Sequence, residues 1–452
     1  MMLDKLTVLS PTAILGYGFP LSSFERGMAM QPDVIAVDAG SVDPGPFYLG
    51  SGKSFTDRAA VKRDLLHMIT AGVEADIPVI IGSSGGSGAK SHLEWTLAIV
   101  QELLFEQDLP VKIGTIGADI DKQTVINAIK ANKVSPLAGL APLVEEDVEA
   151  TTSIVAQMGV EPFIEALEAG CQLILAGRAY DPAVFAALPI KRGFDAGLAI
   201  HMGKILECAA IAAEPGSGAD CVVGVIDQSG FTLVPCSDER QFTVDSVAAH
   251  TLYEKSNPYL LPGPGGYLDL TSVQFTALDK GQVRVTGSRF IQDEIYRVKL
   301  EGAYLQGYRT VSIAGIRDPI MIKQIDSIIE TIKSKMSVRM KEDNITGFID
   351  FHVYGNNGVM GRQEPVKQSQ AHELGIVIEV VADEQSIADS ICSLTRSTLL
   401  HFGYPNRIAT AGNLAFPFSP SDLSAGAVYA FSIYHLIDMQ DETFFQLEVI
   451  NG

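Results

Sequence analysis

The chain is poor in positive charge: 33 Lys and Arg stand against 54 Asp and Glu in 452 residues, for a formal net charge of −21. Such a surface repels phosphate backbones and anionic lipid, so neither nucleic acid nor a membrane surface is expected as a partner. Long apolar runs are also missing. No stretch reaches the 18 or so apolar residues of a spanning helix, although 47% of the chain is hydrophobic. The opening MMLDKLTVLSPTAILGYGFP carries Asp4 and is interrupted by Pro11, Gly16, Gly18 and Pro20, unlike a signal peptide. Cysteine is scarce. Cys171, Cys208, Cys221, Cys236 and Cys392 are odd in number and lack C-x-x-C spacing, which fits reduced thiols in a cytoplasm rather than a disulfide framework or a zinc cluster. Histidines at H-x-x-x-H or H-E-x-x-H spacing are absent too, so no histidine metal site is indicated. Aspartates holding Mg²⁺ would leave no short signature, and the cofactor stays open.

What is present is a regular alternation. Short β-like runs occur at TAILGYGF (12–19), DVIAVDAG (33–40), PVIIGSS (78–84), VKIGTIG (111–117), TSIVAQMG (152–159) and QLILAGRA (172–179). Amphipathic helical segments such as 57–75 and 92–106 lie between them. Continuous Val/Ile/Leu runs followed by Gly or Ser and then a helix read as parallel strands buried on both faces. An α/β domain with a parallel sheet is expected over 1–215, open or barrel-like. A β-rich connecting region follows over 216–300. An α+β domain with a mixed sheet, ferredoxin-like in order, is expected over 301–452 and would close the site.

The stretch GSSGGSGAKS (82–91) is close to a P-loop, but Gly88 is followed by Ala89, and Lys90 comes one place late. On a helix that residue turns the ammonium about 100° away. The G-x-G-x-x-G spacing fails as well, since Ser91 stands where the third glycine is needed. The generic physics remains: Ser83, Ser84, Gly85, Gly86, Ser87 and Gly88 bring amides and hydroxyls to a helix start, where a carboxylate, phosphate or developing oxyanion would be favoured. The other reading is a strand-to-helix turn that merely needs glycine. Gly82 to Gly86 also spells G-x-S-x-G about Ser84, with no acid–histidine pair to go with it.

Ligand sites of parallel α/β folds gather at the carboxyl ends of strands. If the runs share one sheet, Asp38, Ser83, Asp119, Arg178 and Asp181 converge on one mouth, with Arg178 gripping a substrate carboxylate bidentately. Asp38 could instead hold a turn, and Asp181, before Pro182, could cap the next helix. Asp57, followed by Arg58, is either an N-cap or part of the site. His201 and Glu207 lie on the predicted helix HMGKILECAAIAA, six apart and so on different faces. Glu207 amid apolar residues is a candidate proton donor, or else an exposed edge residue. In the tail, Arg407, Asn413 and Asp422 either satisfy buried backbone groups or reach a ligand.

The blocks LILAGRAYDPAVFAALPI (173–190), AIHMGKILECAAIAAEPGSG (199–218), FTVDSVAAHTLYEKSNPYLLPG (242–263) and VRVTGSR (283–289) resemble the acyclic terpene utilisation (AtuA-like) family. The tail GYPNRIATAGNLAFPFSPSDL (403–423) is similar to the family's as well. The resemblance implies breakdown of branched or terpenoid carboxylates, without a settled reaction or agreed catalytic residues. It strengthens Arg178, Asp181, His201 and Glu207 by position. The expectation is therefore an enzyme acting on a small hydroxy-carboxylate or its CoA thioester by lyase, hydratase or isomerase chemistry, assembled as a homo-oligomer. A phosphate- or nucleotide-dependent enzyme using the 82–91 loop and a non-catalytic binding subunit are the alternatives.

Overall fold

The computed structural model describes residues 4–253, 256–367, 369–439 and 444–451. It divides into two compact units, Met1–Tyr304 with Phe431–Gly452, and Leu305–Ala430. The first unit opens with β1 (Lys5–Ser10), β2 (Val34–Asp38), β3 (Val79–Gly82), β4 (Ile113–Ile116), β5 (Val134–Pro136), β6 (Ser153–Ala156) and β7 (Leu173–Ala176). Then follow β8 (Val222–Asp227), β9 (Gly230–Pro235), β10 (Leu260–Gly263), β11 (Gly266–Asp269), β12 (Gln274–Leu278), β13 (Gln282–Thr286) and β14 (Arg289–Gln292). The remaining strands are β15 (Arg297–Ile316), β16 (Gly347–Tyr354), β17 (Leu374–Ala382), β18 (Asp422–Asp438) and β19 (Leu447–Ile450).

One sheet of ten strands runs β12-β13-β9-β8-β1-β2-β3-β7-β4-β19. Its middle, β1-β2-β3-β7-β4, is parallel, and antiparallel strands extend both sides. The sheet is open, not a barrel, and mixed rather than purely parallel. Residues between 216 and 300 contribute four of its strands, β8, β9, β12 and β13. The apolar runs of the central strands serve both faces, because successive side chains alternate. Val34, Ala36, Ile80 and Ile174 face a core with Phe163, Phe185 and Met202. Ile35, Val37, Ile81 and Leu175 face another, built with the helices Arg58–Ala75 and Lys90–Gln107 through Leu65, Met68, Ile99 and Leu103.

Two expected strands differ. Residues 12–19 form turns, and the first strand is Lys5–Ser10 instead; Gly16 and Gly18, both at positive φ, hold a turn whose amides bond to the Asp64 carboxylate. The run 152–159 does form β6, but it pairs antiparallel with β15 outside the large sheet.

In the second unit the chain runs β15, helix, β16, β17, helix, β18, in sheet order β18-β15-β17-β16. The order is ferredoxin-like as expected, but β15 with β17 and β16 with β17 pair antiparallel where a mixed sheet was expected, because each of these neighbours runs opposite to the next. The helices Ile325–Glu342 and Gln385–Leu400 bury Ile328, Ile332, Ile391 and Leu399 against Ile376, Ile378 and Val380.

The loop after β3 is fully buried, and its glycines let backbone meet backbone. At Gly88, with φ +66°, a Cβ would lie 2.1 Å from the Arg178 amide nitrogen; at Gly86, with φ +109°, it would strike Phe55. Gly88→Ala is therefore expected to cost about 2 kcal/mol or more, since both the αL backbone and the contact with β7 oppose it. Urea unfolding of the variant would show this as a lowered midpoint at unchanged slope; a midpoint equal to the parent's would refute it.

Candidate functional site

The ends of β3 and β7 are neighbours, which brings Ser83 and Arg178 together. The Arg178 guanidinium is 2% exposed. Its Nη1 donates to Ser83 Oγ at 3.0 Å, to the Ala179 carbonyl at 2.7 Å and to Asp181 Oδ1 at 2.7 Å. Its Nε donates to Glu301 Oε2 at 2.8 Å. Glu301, wholly buried on β15, also pairs through Oε1 with Lys299 Nζ at 2.7 Å. Burial alone would raise the Glu301 carboxyl, but the charges of Arg178 and Lys299 outweigh it and hold it below the usual glutamate range. Lys299 and Glu301 share a face of β15 because they are two apart.

The Nε and Nη1 donors of Arg178, from which a bidentate grip on a substrate was expected, are thus taken up by Glu301, Asp181, Ser83 and the Ala179 carbonyl. Asp181 in turn does not cap the next helix: that helix starts after Pro182, with no side-chain cap.

Asp38, at the end of β2, is buried beside this group. Ser83 Oγ accepts from Arg178 and from the Ala179 amide, which leaves its own proton for Asp38. Burial and the nearby Asp181 push the Asp38 carboxyl well above its ordinary value, outweighing Arg178 and the Ser83 hydrogen bond. Asp38 is thus the group whose neutral form burial favours, and Asp181 the one paired with arginine.

A cavity of about 410 Å³ opens next to these residues, and every residue lining it belongs to the first unit. Arg178, Tyr180, Asp181, Lys204 and Glu207 form its inner part. Burial, followed by the charges of Glu207 and Asp181, raises the Tyr180 phenol far above its ordinary value, so it stays protonated. Lys204 is 3% exposed, and its ammonium lies 4.7 Å from the centre of the Tyr253 ring. Among the described residues it makes no ion pair and no side-chain hydrogen bond. The other cations at the cavity are committed: Arg178 as above, Lys299 to Glu301 and to the Tyr434 hydroxyl at 3.2 Å, and Arg297 to Asp438 at 2.7 Å.

The remaining expected residues lie elsewhere or act differently. Asp119 sits in a second hollow of about 790 Å³ with Lys90 and Asp121. The chain after β4 pairs with β6, through Ala156 N to Ala118 O and Ile120 N to Ile154 O, and this carries Asp119 away from the mouth. His201 is buried between Ser288 (2.7 Å), Thr251 (3.0 Å) and the Phe231 ring, and burial pushes its pKa down to about 3. It is a neutral core residue off the cavity.

The anion cradle expected over Ser83 to Gly88 is not built from its amides. Those of Ser83, Ser84, Gly86 and Gly88 bond to the carbonyls of Gly177, Ala176, Ser83 and Ser84. Ser87 Oγ meets His92 Nδ1 at 2.8 Å, and Gly85 packs on His92. Of this loop, Ser83 alone turns its side chain to Arg178. Lys90 is exposed beside Glu94. Asp57 caps its helix by accepting from the amides of Ala59 and Ala60, and Arg58 pairs with Glu102 at 2.5 Å. In the second unit, Asn413 donates to the carbonyls of Leu399 and Phe402, and Asp422 pairs with Arg396. All five cysteines are free. No three His, Cys, Asp or Glu side chains group as metal ligands among the described residues, and no helix among them is long and apolar enough to cross a membrane.

Lys204, Glu301, Lys299 and Tyr180 are the residues that sequence reasoning overlooked. Lys204 bore the same signal as Glu207, a charge inside an apolar helix. Tyr180 stood between two chosen residues. The pair in RVKLEGAYL had only its strand alternation to offer, and nothing local says that it meets Arg178.

Two outcomes follow. Removing the Glu301 charge in Glu301→Gln should cost about 3 kcal/mol or more, because Lys299 loses its carboxylate and buried Arg178 keeps only Asp181; chemical denaturation measures it, and a loss below about 1 kcal/mol would contradict the pairing. For Asp38 the raised pKa means that stability is complete below its unfolded value of about 3.9 and is lost as pH climbs through the folded one. Asp38→Asn should thus gain in melting temperature relative to the parent as pH rises from 4 to about 8. A gap constant across that range would deny the raised pKa.

Comparison with known protein families gives a match. The profile of the family described as acyclic terpene utilisation family protein AtuA covers residues 59–405. No curated protein and no solved structure matches the chain. With most of its length under that profile and its resembling blocks gathered around Arg178, Asp181 and Lys204, the chain belongs to the acyclic terpene utilisation AtuA family.

Proposed function

We propose that this chain is an enzyme that moves a proton next to the carboxylate of a small branched hydroxy-carboxylate or its thioester, by lyase, hydratase or isomerase chemistry. Family membership supplies the coarse setting, a role in acyclic terpene utilisation. The observation that carries the finer reading is Lys204, an ammonium without an ion-pair partner among the described residues, inside a cavity whose other inner polar groups are Glu207, Asp181 and the Tyr180 phenol.

The chemistry asks for three functions in a small space. Charge that develops on the substrate oxygen as an adjacent carbon loses its proton must be met by a fixed cation, and Lys204 meets it. Glu207 accepts the proton, and Tyr180, protonated as it stands, donates its own. In dehydration the C–H electron pair becomes the new C=C bond, the C–O bond breaks, and the hydroxide leaves as water with the proton of Tyr180. In isomerisation the proton on Glu207 returns to another carbon. Arg178 and Glu301 hold Asp181 and the floor in place without touching the reacting atoms. The cavity, at about 410 Å³, is near the small end of ligand pockets and fits a short acid.

The test is solvent exchange. The protein incubated in D₂O with a panel of short branched 2- and 3-hydroxy acids and their thioesters should place deuterium on the carbon next to the carbonyl of at least one member, read by mass spectrometry. Glu207→Gln should slow this by about 100-fold or more, the usual worth of a general base. Absence of both exchange and water loss across the panel would overturn the proposal.

A further inference from the structure

The distribution of charge from floor to rim says which form of the substrate enters, and which end first. The uncommitted cation, Lys204, is at the floor, 3% exposed. The rim is different. Asp43 and Asp293 are exposed there, and its two cations, Arg297 and Lys299, already hold Asp438 and Glu301. Apolar surface lies beside them in Leu137, Leu436 and Pro262.

From this we infer that the site takes a free monocarboxylate, carboxylate first, and not its CoA thioester. The inference rests on the proposed function for its site and goes further by naming the substrate form. An anionic group gains most where a buried cation has no protein partner, because there it displaces no existing ion pair. That place is the floor. The branched hydrocarbon end of the acid then lies along Leu137, Leu436 and Pro262. A CoA thioester would have to do the reverse. Its acyl carbonyl carries no full charge for Lys204, and its several phosphate charges would sit outside a rim that, among the described residues, offers two exposed carboxylates and no free cation. The surface of this chain, with its net charge of −21, adds to that repulsion.

The test measures binding separately from turnover. Titration calorimetry would use 3-hydroxy-3-methylbutanoate and 2-hydroxy-3-methylbutanoate, each as the free acid and as the CoA thioester. At least one free acid should bind, and its thioester should bind at least tenfold more weakly. Lys204→Met should weaken the acid by tenfold or more, while Lys204→Arg, which keeps the charge, should recover part of the loss; melting curves confirm that both variants are folded. A thioester that binds as well as its acid, an acid affinity unmoved in Lys204→Met, or no binding by either acid would each overturn the inference. The deuterium experiment separates this from the reaction itself. Acid binding without exchange removes the proposed chemistry and leaves the orientation standing, whereas exchange in the thioesters alone does the opposite.

Discussion

The buried pair between Arg178 and Glu301 is the constraint from which the rest of the site follows. Neither partner is accessible to water, so each charge has lost its hydration and must be met by the other at close range. That demand ties the end of β7 to β15, two segments far apart in the chain, at a fixed separation. Once the guanidinium is anchored through Nε, its Nη1 has a set direction, and Ser83 and Asp181 take their positions from it. Lys299 completes the balance on the far side of Glu301. A buried polar group of this kind is stable only when every member is satisfied, which explains why so many residues are committed here.

Commitment on one side of the cavity throws the uncommitted groups into relief. Three of four cations are neutralised by protein carboxylates, and the fourth, Lys204, faces the space with an aromatic ring as its neighbour. The carboxyls divide in the same manner. Burial and the nearby Asp181 raise the Asp38 carboxyl well above its ordinary value, while Asp181 is paired with the Arg178 guanidinium. Environment alone thus sets these two carboxyl groups apart, one buried without a cation of its own among the described residues and the other held by arginine. The glycine-rich loop makes this possible indirectly. By admitting the Arg178 backbone against Gly88 it lets β7 end where its arginine can reach Ser83 and Glu301.

The second unit shows the same economy with a different outcome. Its ferredoxin-like order buries an apolar helix face on a sheet, and the polar residues of the tail loop close that structure instead of opening a site. Asn413 satisfies two carbonyls at the end of the helix Gln385–Leu400, and Asp422 neutralises Arg396. None of the residues lining the cavity comes from this unit. Its polar contacts account for its own stability.

The amino-acid sequence by itself determined the elements that depend on local pattern. Continuous apolar runs are buried on both faces wherever they occur, so β2, β3, β4 and β7 were legible, as were the helices between them and the βαββαβ course of the second unit. That Asp38, Ser83, Arg178 and Asp181 meet was also legible, since parallel neighbours carry their ends to one edge. The run 12–19 misled because its glycines at positive φ make a turn of an apolar stretch. What only the tertiary structure decided was where each charge is spent. Whether an arginine holds a substrate or a buried glutamate 123 residues away depends on desolvation and on long-range pairing, and neither leaves a local trace. The same holds for Asp119, drawn off by β6, for His201, enclosed in the core, and for Lys204, which has an aromatic ring but no ion-pair partner among the described residues.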